Sequence, residues 1–106
     1  MDQRPKTAEA YVELIDQAIF EIEDLRAAVE YDMDSMGGAL DFLDELEAQM
    51  KSMRQKMEQG TYRFDDRDLP FMETVERSDE RVLPFKQLLN IINATHRQGL
   101  NVDVDD

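Results

Sequence analysis

Few residues in this chain have the types and spacing that chemistry requires. Asp32-Met33-Asp34-Ser35-Met36-Gly37 opens like a calcium loop, with carboxylates at its first and third positions and a glycine at its sixth. Its fifth position is Met36, however, and Leu43 stands where a bidentate glutamate must complete the oxygen shell. The stretch therefore reads as a glycine turn flanked by surface acids. His96, the single histidine, has the chemistry of a base. No Ser-His-Asp set, phosphate-cradling glycine loop or Glu-x-x-His pair of a bundle di-metal site accompanies it. At the end of the last predicted helix its charge would balance the negative helix end. The chain has no cysteine, which removes disulfides, thiolate metal sites and cysteine nucleophiles together and points to a reducing cytoplasm. The sequence predicts a non-enzyme, with no catalytic residue, no cofactor and no metal site.

Charge narrows the classes further. The 106 residues carry 25 acids against 12 Lys plus Arg, a net charge of -13. A field of that sign repels phosphate backbones and anionic lipids, so no direct nucleic-acid binding and no membrane binding are expected. The imbalance sits in the first 48 residues, with 14 acids and three bases; Lys51, Arg54 and Lys56 make the next ten residues net positive. Hydrophobic residues are 42% of the chain, enough for the core of one helical domain over residues 1–100, followed by an acidic tail, 101–106, in which Asp103, Asp105 and Asp106 lack a rigid scaffold. Met1 to Lys6 leads into a helix-like stretch with no apolar signal-peptide centre. No run approaches the roughly 20 apolar residues of a membrane span, and a soluble cytoplasmic protein is expected.

Periodicity predicts the elements that hold these residues. Thr7 is a good N-cap, and Tyr11, Leu14, Ile15, Ala18, Ile22, Leu25 and Val29 recur at three- and four-residue steps, which predicts a helix from Ala8 to about Met33. The glycine pair Gly37-Gly38 predicts a turn. Leu40, Leu43, Leu46, Met50, Met53 and Met57 form the seam of a second helix, about Ala39 to Gln59, stopped by Gly60. Its acids come first and its bases last. An antiparallel hairpin would bring those bases beside the acidic start of the first helix. Asp66-Arg67-Asp68-Leu69-Pro70-Phe71 is echoed by Glu80-Arg81-Val82-Leu83-Pro84-Phe85. Each copy reads as a helix entrance with an aromatic anchor, opening Pro70 to Arg77, capped by Asp68, and Leu83 to Gln98, closed by Gly99. Phe85, Leu88, Leu89, Ile92 and Thr95 line the core face of the last helix. The expected fold is all-α, a long antiparallel helical hairpin with one short and one medium helix packed across its apolar face.

Two surfaces are candidates for recognition. Phe20, Ala27 and Tyr31 fall on one line of the first helix, away from its main stripe; they form either an interface or a second apolar side covered by the two carboxy-terminal helices. Met33 and Met36, near the turn, extend the candidate interface. The seam methionines read as core filling, although flexible thioethers also suit a groove for a partner helix. The second surface is the acidic face Glu9, Glu13, Asp16, Glu23, Asp24 and Glu30, spaced to imitate phosphates in a basic groove of a DNA-binding protein.

Tyr11-Val12-Glu13-Leu14-Ile15-Asp16-Gln17-Ala18, Gly37-Gly38 and Asp68-Leu69-Pro70-Phe71 together resemble short uncharacterised bacterial proteins sometimes labelled general secretion pathway components. The resemblance covers most of the chain and implies a bacterial protein. The membrane protein usually meant by that label has spanning helices and this sequence has none, so no transport role and no functional residue carry over. The expected function is a cytoplasmic bacterial interaction protein, an adaptor or regulator with a protein partner or a homodimeric contact; the alternative is the nucleic-acid mimic.

Overall fold

Thr7 opens the first helix as its residue type requires. Its Oγ1 accepts the Ala10 amide at 3.0 Å, satisfying one of the amides that a first turn leaves unpaired. The computed structural model describes the backbone of residues 3–31, 37–81 and 83–101, and the side chains of 3–28, 41–81 and 83–101. Among the described residues there are four helices and no strand: α1 (Ala8–Tyr31), α2 (Gly37–Gln59), α3 (Met72–Arg77) and α4 (Lys86–Gln98). The expected all-α bundle is the observed fold.

The glycine pair does not form the predicted turn. Gly37 and Gly38 are the first residues of α2, where the amides lack intrahelical partners anyway and the conformational cost of glycine is least damaging. The connection at Asp32 to Met36, with its calcium-like spacing, lies outside the described residues. At the other end of α2 the predicted stop is present. Gly60 has φ +73°, and the Gly60 amide bonds Met57 O at 3.3 Å while the Thr61 amide bonds Lys56 O at 2.9 Å. This pair of bonds is the Schellman closure, which needs a residue that tolerates the left-handed region.

The two Leu-Pro-Phe copies adopt one local structure, but it is a turn rather than a first helical turn. Leu69 O accepts the Met72 amide at 3.0 Å and Leu83 O accepts the Lys86 amide at 3.1 Å. Phe71 sits at φ -85°, ψ -4° and Phe85 at φ -100°, ψ 27°, the conformation of the third residue of a type I turn, with proline preset in the second. α3 and α4 therefore start later than Pro70 and Leu83. In both copies the leucine and phenylalanine are buried, so each turn pins a helix entrance to the core. Asp68 caps nothing: the N-cap position of α3 belongs to Phe71, without a side-chain cap bond.

Ion pairs show the hairpin to be antiparallel, because partners climb one helix as they descend the other. Arg26 meets Asp44 and, at 2.6 Å, Glu47; Lys51 meets Glu23 at 3.8 Å; Arg54 meets Asp16 at 2.5 Å. The acid-first, base-last order of α2 thus faces the acids of α1 as expected. Beneath them the apolar faces close on Tyr11, Ile15, Ala18 and Ile22 of α1 and Leu43, Leu46, Met50 and Met53 of α2, all buried. Each large side chain so buried is worth roughly 1.5–3 kcal/mol relative to exposure. Met50, Met53 and Met72 are core residues and Met57 is packed against them.

α4 packs on α1 and α3 packs on α4, while the described backbones of α2 and α4 stay more than 8 Å apart and their side chains join one core. The segment before α1 meets the segment after α4. The Asn101 amide bonds Pro5 O at 2.8 Å, and Arg4 donates to Gly99 O at 2.8 Å. Asn101, expected to begin a frayed tail, is therefore held in place; residues 102–106 lie outside the described set. No described helix is long and apolar enough to cross a membrane.

Candidate functional site

The outer face of α1 carries the first group of candidates. Phe20 is 62% exposed and Ala27, two turns on, is also exposed. The alternative in which α3 and α4 cover this line does not hold at these two positions; α4 meets α1 at Tyr11, whose hydroxyl bonds Ile92 O. The backbone of Glu30 and Tyr31 continues the helix, and their side chains, with Met33 and Met36, lie outside the described set.

Glu9, Glu13, Asp16, Glu23 and Asp24 are exposed as expected, and they surround Phe20 with negative charge. Two of them are already engaged by cations of α2, Asp16 by Arg54 and Glu23 by Lys51. Below this rim lies Glu47, only 7% exposed, between Arg26 and Lys51. The Lys51 ammonium bonded to it holds its carboxyl below the ordinary carboxylate value, against the opposing effect of burial.

The second constellation is one the sequence did not reveal. Tyr11 is fully buried, and its hydroxyl lies 3.2 Å from both Ile92 O and the Tyr62 hydroxyl. The Tyr62 hydroxyl in turn contacts His96 Nδ1. His96 was expected to serve as a charge at the helix end. Burial instead pushes its pKa below the ordinary 6.5, with Asp65 pulling weakly the other way. The Tyr11 hydroxyl donates to Ile92 O, and the tautomer of the neutral ring sets which partner donates between Tyr62 and His96. Burial also pushes both tyrosine hydroxyls up from their ordinary value. Phe64 packs against both tyrosines, tilted against Tyr11 at a ring-centroid distance of 5.8 Å and edge-to-face with Tyr62 at 5.1 Å.

Beside this chain, where α2 and α4 stay apart, lies a cleft of about 390 Å³. From α2 come Gln49, Ser52, Met53 and Lys56; the loop adds Thr61, Tyr62 and Arg63. Leu69 and His96 form the opposite wall. Leu69 is placed by Asn93, a buried amide on α4 whose Oδ1 accepts the Leu69 amide at 2.8 Å and whose Nδ2 donates to Asp68 at 3.0 Å. Asp68 also meets Arg97 at 3.4 Å. The basic run of α2 was legible in sequence, but that it would meet a loop arginine across an open cleft depends on tertiary packing.

Comparisons of the chain with protein-family models, with curated proteins and with solved structures find no match.

Proposed function

We propose that this chain is a non-catalytic interaction protein, a cytoplasmic bacterial adaptor or regulator, and that a protein partner reads the outer face of α1. One observation carries the reading: Phe20 stands 62% exposed in the middle of a helix whose other large apolar residues are, among the described side chains, buried or partly buried. Keeping a phenylalanine in water forgoes roughly 1.5–3 kcal/mol of burial, and a partner recovers it. Glu13, Asp16, Glu23 and Asp24 around it define that partner as an apolar pocket rimmed by Lys and Arg. Steering by opposite charge makes association fast, while the buried aromatic anchor holds the complex. A second copy of the chain fits less well, since an isologous contact would set two such acidic rims against each other.

The test is capture from a lysate with the wild-type chain, with Phe20→Ser and with Glu23→Gln/Asp24→Gln. A partner held by the wild type at high salt and lost with Phe20→Ser supports the reading. A basic DNA-binding partner lost at high salt but indifferent to Phe20→Ser supports the nucleic-acid mimic instead.

A further inference from the structure

In a protein with 25 acids and 12 Lys plus Arg, the cleft between α2 and α4 is lined by two cations, Lys56 and Arg63, and by no described carboxylate. Its volume of about 390 Å³ falls in the range of small-molecule sites, roughly 300–1,000 Å³. The carboxy-terminal turns of α2 and α4 both contribute to this lining, and four of their carbonyls are bonded. Lys56 O accepts the Thr61 and Tyr62 amides, Met57 O accepts Gly60, Thr95 O accepts Gly99 and His96 O accepts Asp65. Lys56 and Arg63 are the charged side chains of the lining, with Asp65 acting on His96 from outside it. The remaining lining divides into an apolar part, Met53 and Leu69, and aromatic rings, Tyr62 and His96, with the Gln49 amide and the Ser52 and Thr61 hydroxyls beside them.

We infer that this cleft binds a small organic carboxylate, its anionic end between Lys56 and Arg63 and its apolar body against Met53, Leu69 and the Tyr62 ring. Charge-assisted hydrogen bonds from the two cations fix the carboxylate, and the planar guanidinium can engage both oxygens. The apolar body distinguishes such a ligand from inorganic anions. The cleft lies apart from the Phe20 face, so the inference does not rest on the function proposed above.

Benzoate is the probe, with benzyl alcohol as its neutral counterpart and inorganic phosphate as an anion without an apolar body. Each is titrated against the full chain while the Tyr62, His96 and Met53 side-chain resonances are followed by NMR. Benzoate is expected to give saturable shifts at these three residues, and both controls to bind at least roughly tenfold more weakly. Lys56→Gln/Arg63→Gln, both exposed positions, is expected to weaken benzoate roughly tenfold or more with an unchanged melting temperature. No saturable shift with benzoate, equal binding of benzyl alcohol or phosphate, or an unchanged affinity in the double variant overturns the inference.

Discussion

Replacing Asn93 tests how the wall of the cleft is held. In Asn93→Ala the buried Leu69 amide loses its acceptor, and an unsatisfied buried backbone donor costs about 1–3 kcal/mol. The bond to Asp68, whose side chain is 50% exposed, adds no more than about 0.5 kcal/mol, and the small void left behind adds about 1 kcal/mol. Together the loss is about 2–4 kcal/mol, a large part of the roughly 5–15 kcal/mol available to a domain of this size. Urea denaturation followed by circular dichroism reads it directly. With a slope of about 2 kcal/mol per molar, the middle of the range for small proteins, the midpoint should fall by about 1–2 M while the slope stays unchanged.

Asn93→Asp supplies a signed control. Its carboxylate can still accept from the Leu69 amide but faces the Asp68 carboxylate to which the wild-type Nδ2 donates. Burial and like charge raise the folded-state pKa of the new group above its unfolded value. The destabilisation is therefore present above that raised pKa and is relieved as pH falls through it. The gap from wild type should narrow on acidification. An Asn93→Ala unfolding free energy within about 0.5 kcal/mol of wild type, or an Asn93→Asp gap that does not change with pH, would refute this account of the Leu69 loop.

Other perturbations probe separate parts of the account. The His96 ring should titrate below 6.5 by NMR; because its folded pKa is depressed, its contribution is complete above the unfolded value and is lost as pH falls below about 6.5, a loss that His96→Gln should abolish. Glu47 has the corresponding acid behaviour: its lowered pKa contributes stability above about 4.5 that disappears as pH drops through the folded value, and Glu47→Gln should flatten that limb of the stability curve. Gly60→Ala, forced into a positive φ, should cost about 1 kcal/mol in thermal or urea melts; no measurable cost would argue against the Schellman closure. Phe20→Ser should change stability by no more than about 0.5 kcal/mol, since its ring is mostly in water; a larger loss would mean that Phe20 packs against the fold.

Periodicity made most of the fold legible. The stripe from Tyr11 to Ile22 and the seam from Leu43 to Met57 specify two helices with facing apolar sides, and the charge order of α2 specifies their antiparallel sense. Element boundaries were less legible where a residue has two structural uses. Glycine can open a helix as well as break one, and proline can occupy the second position of a turn as well as the first turn of a helix, so Gly37-Gly38 and the two Leu-Pro-Phe entrances were each displaced by a few residues. The Phe20 line was visible, but whether it is covered depends on where α4 lands. The Tyr11, Tyr62 and His96 chain and the cleft join residues from three distant segments. No single segment carries a spacing that would disclose them.

The claim that the outer face of α1 is the recognition surface is tested most directly by photo-cross-linking in living cells. p-Benzoyl-phenylalanine is placed at Phe20 and, as a control, at Gln55, an exposed position of α2. The account predicts a discrete adduct with a different protein from position 20, absent from position 55 and reduced by Glu23→Gln/Asp24→Gln. Adducts from position 55 alone, or a self-adduct alone from position 20, would contradict it.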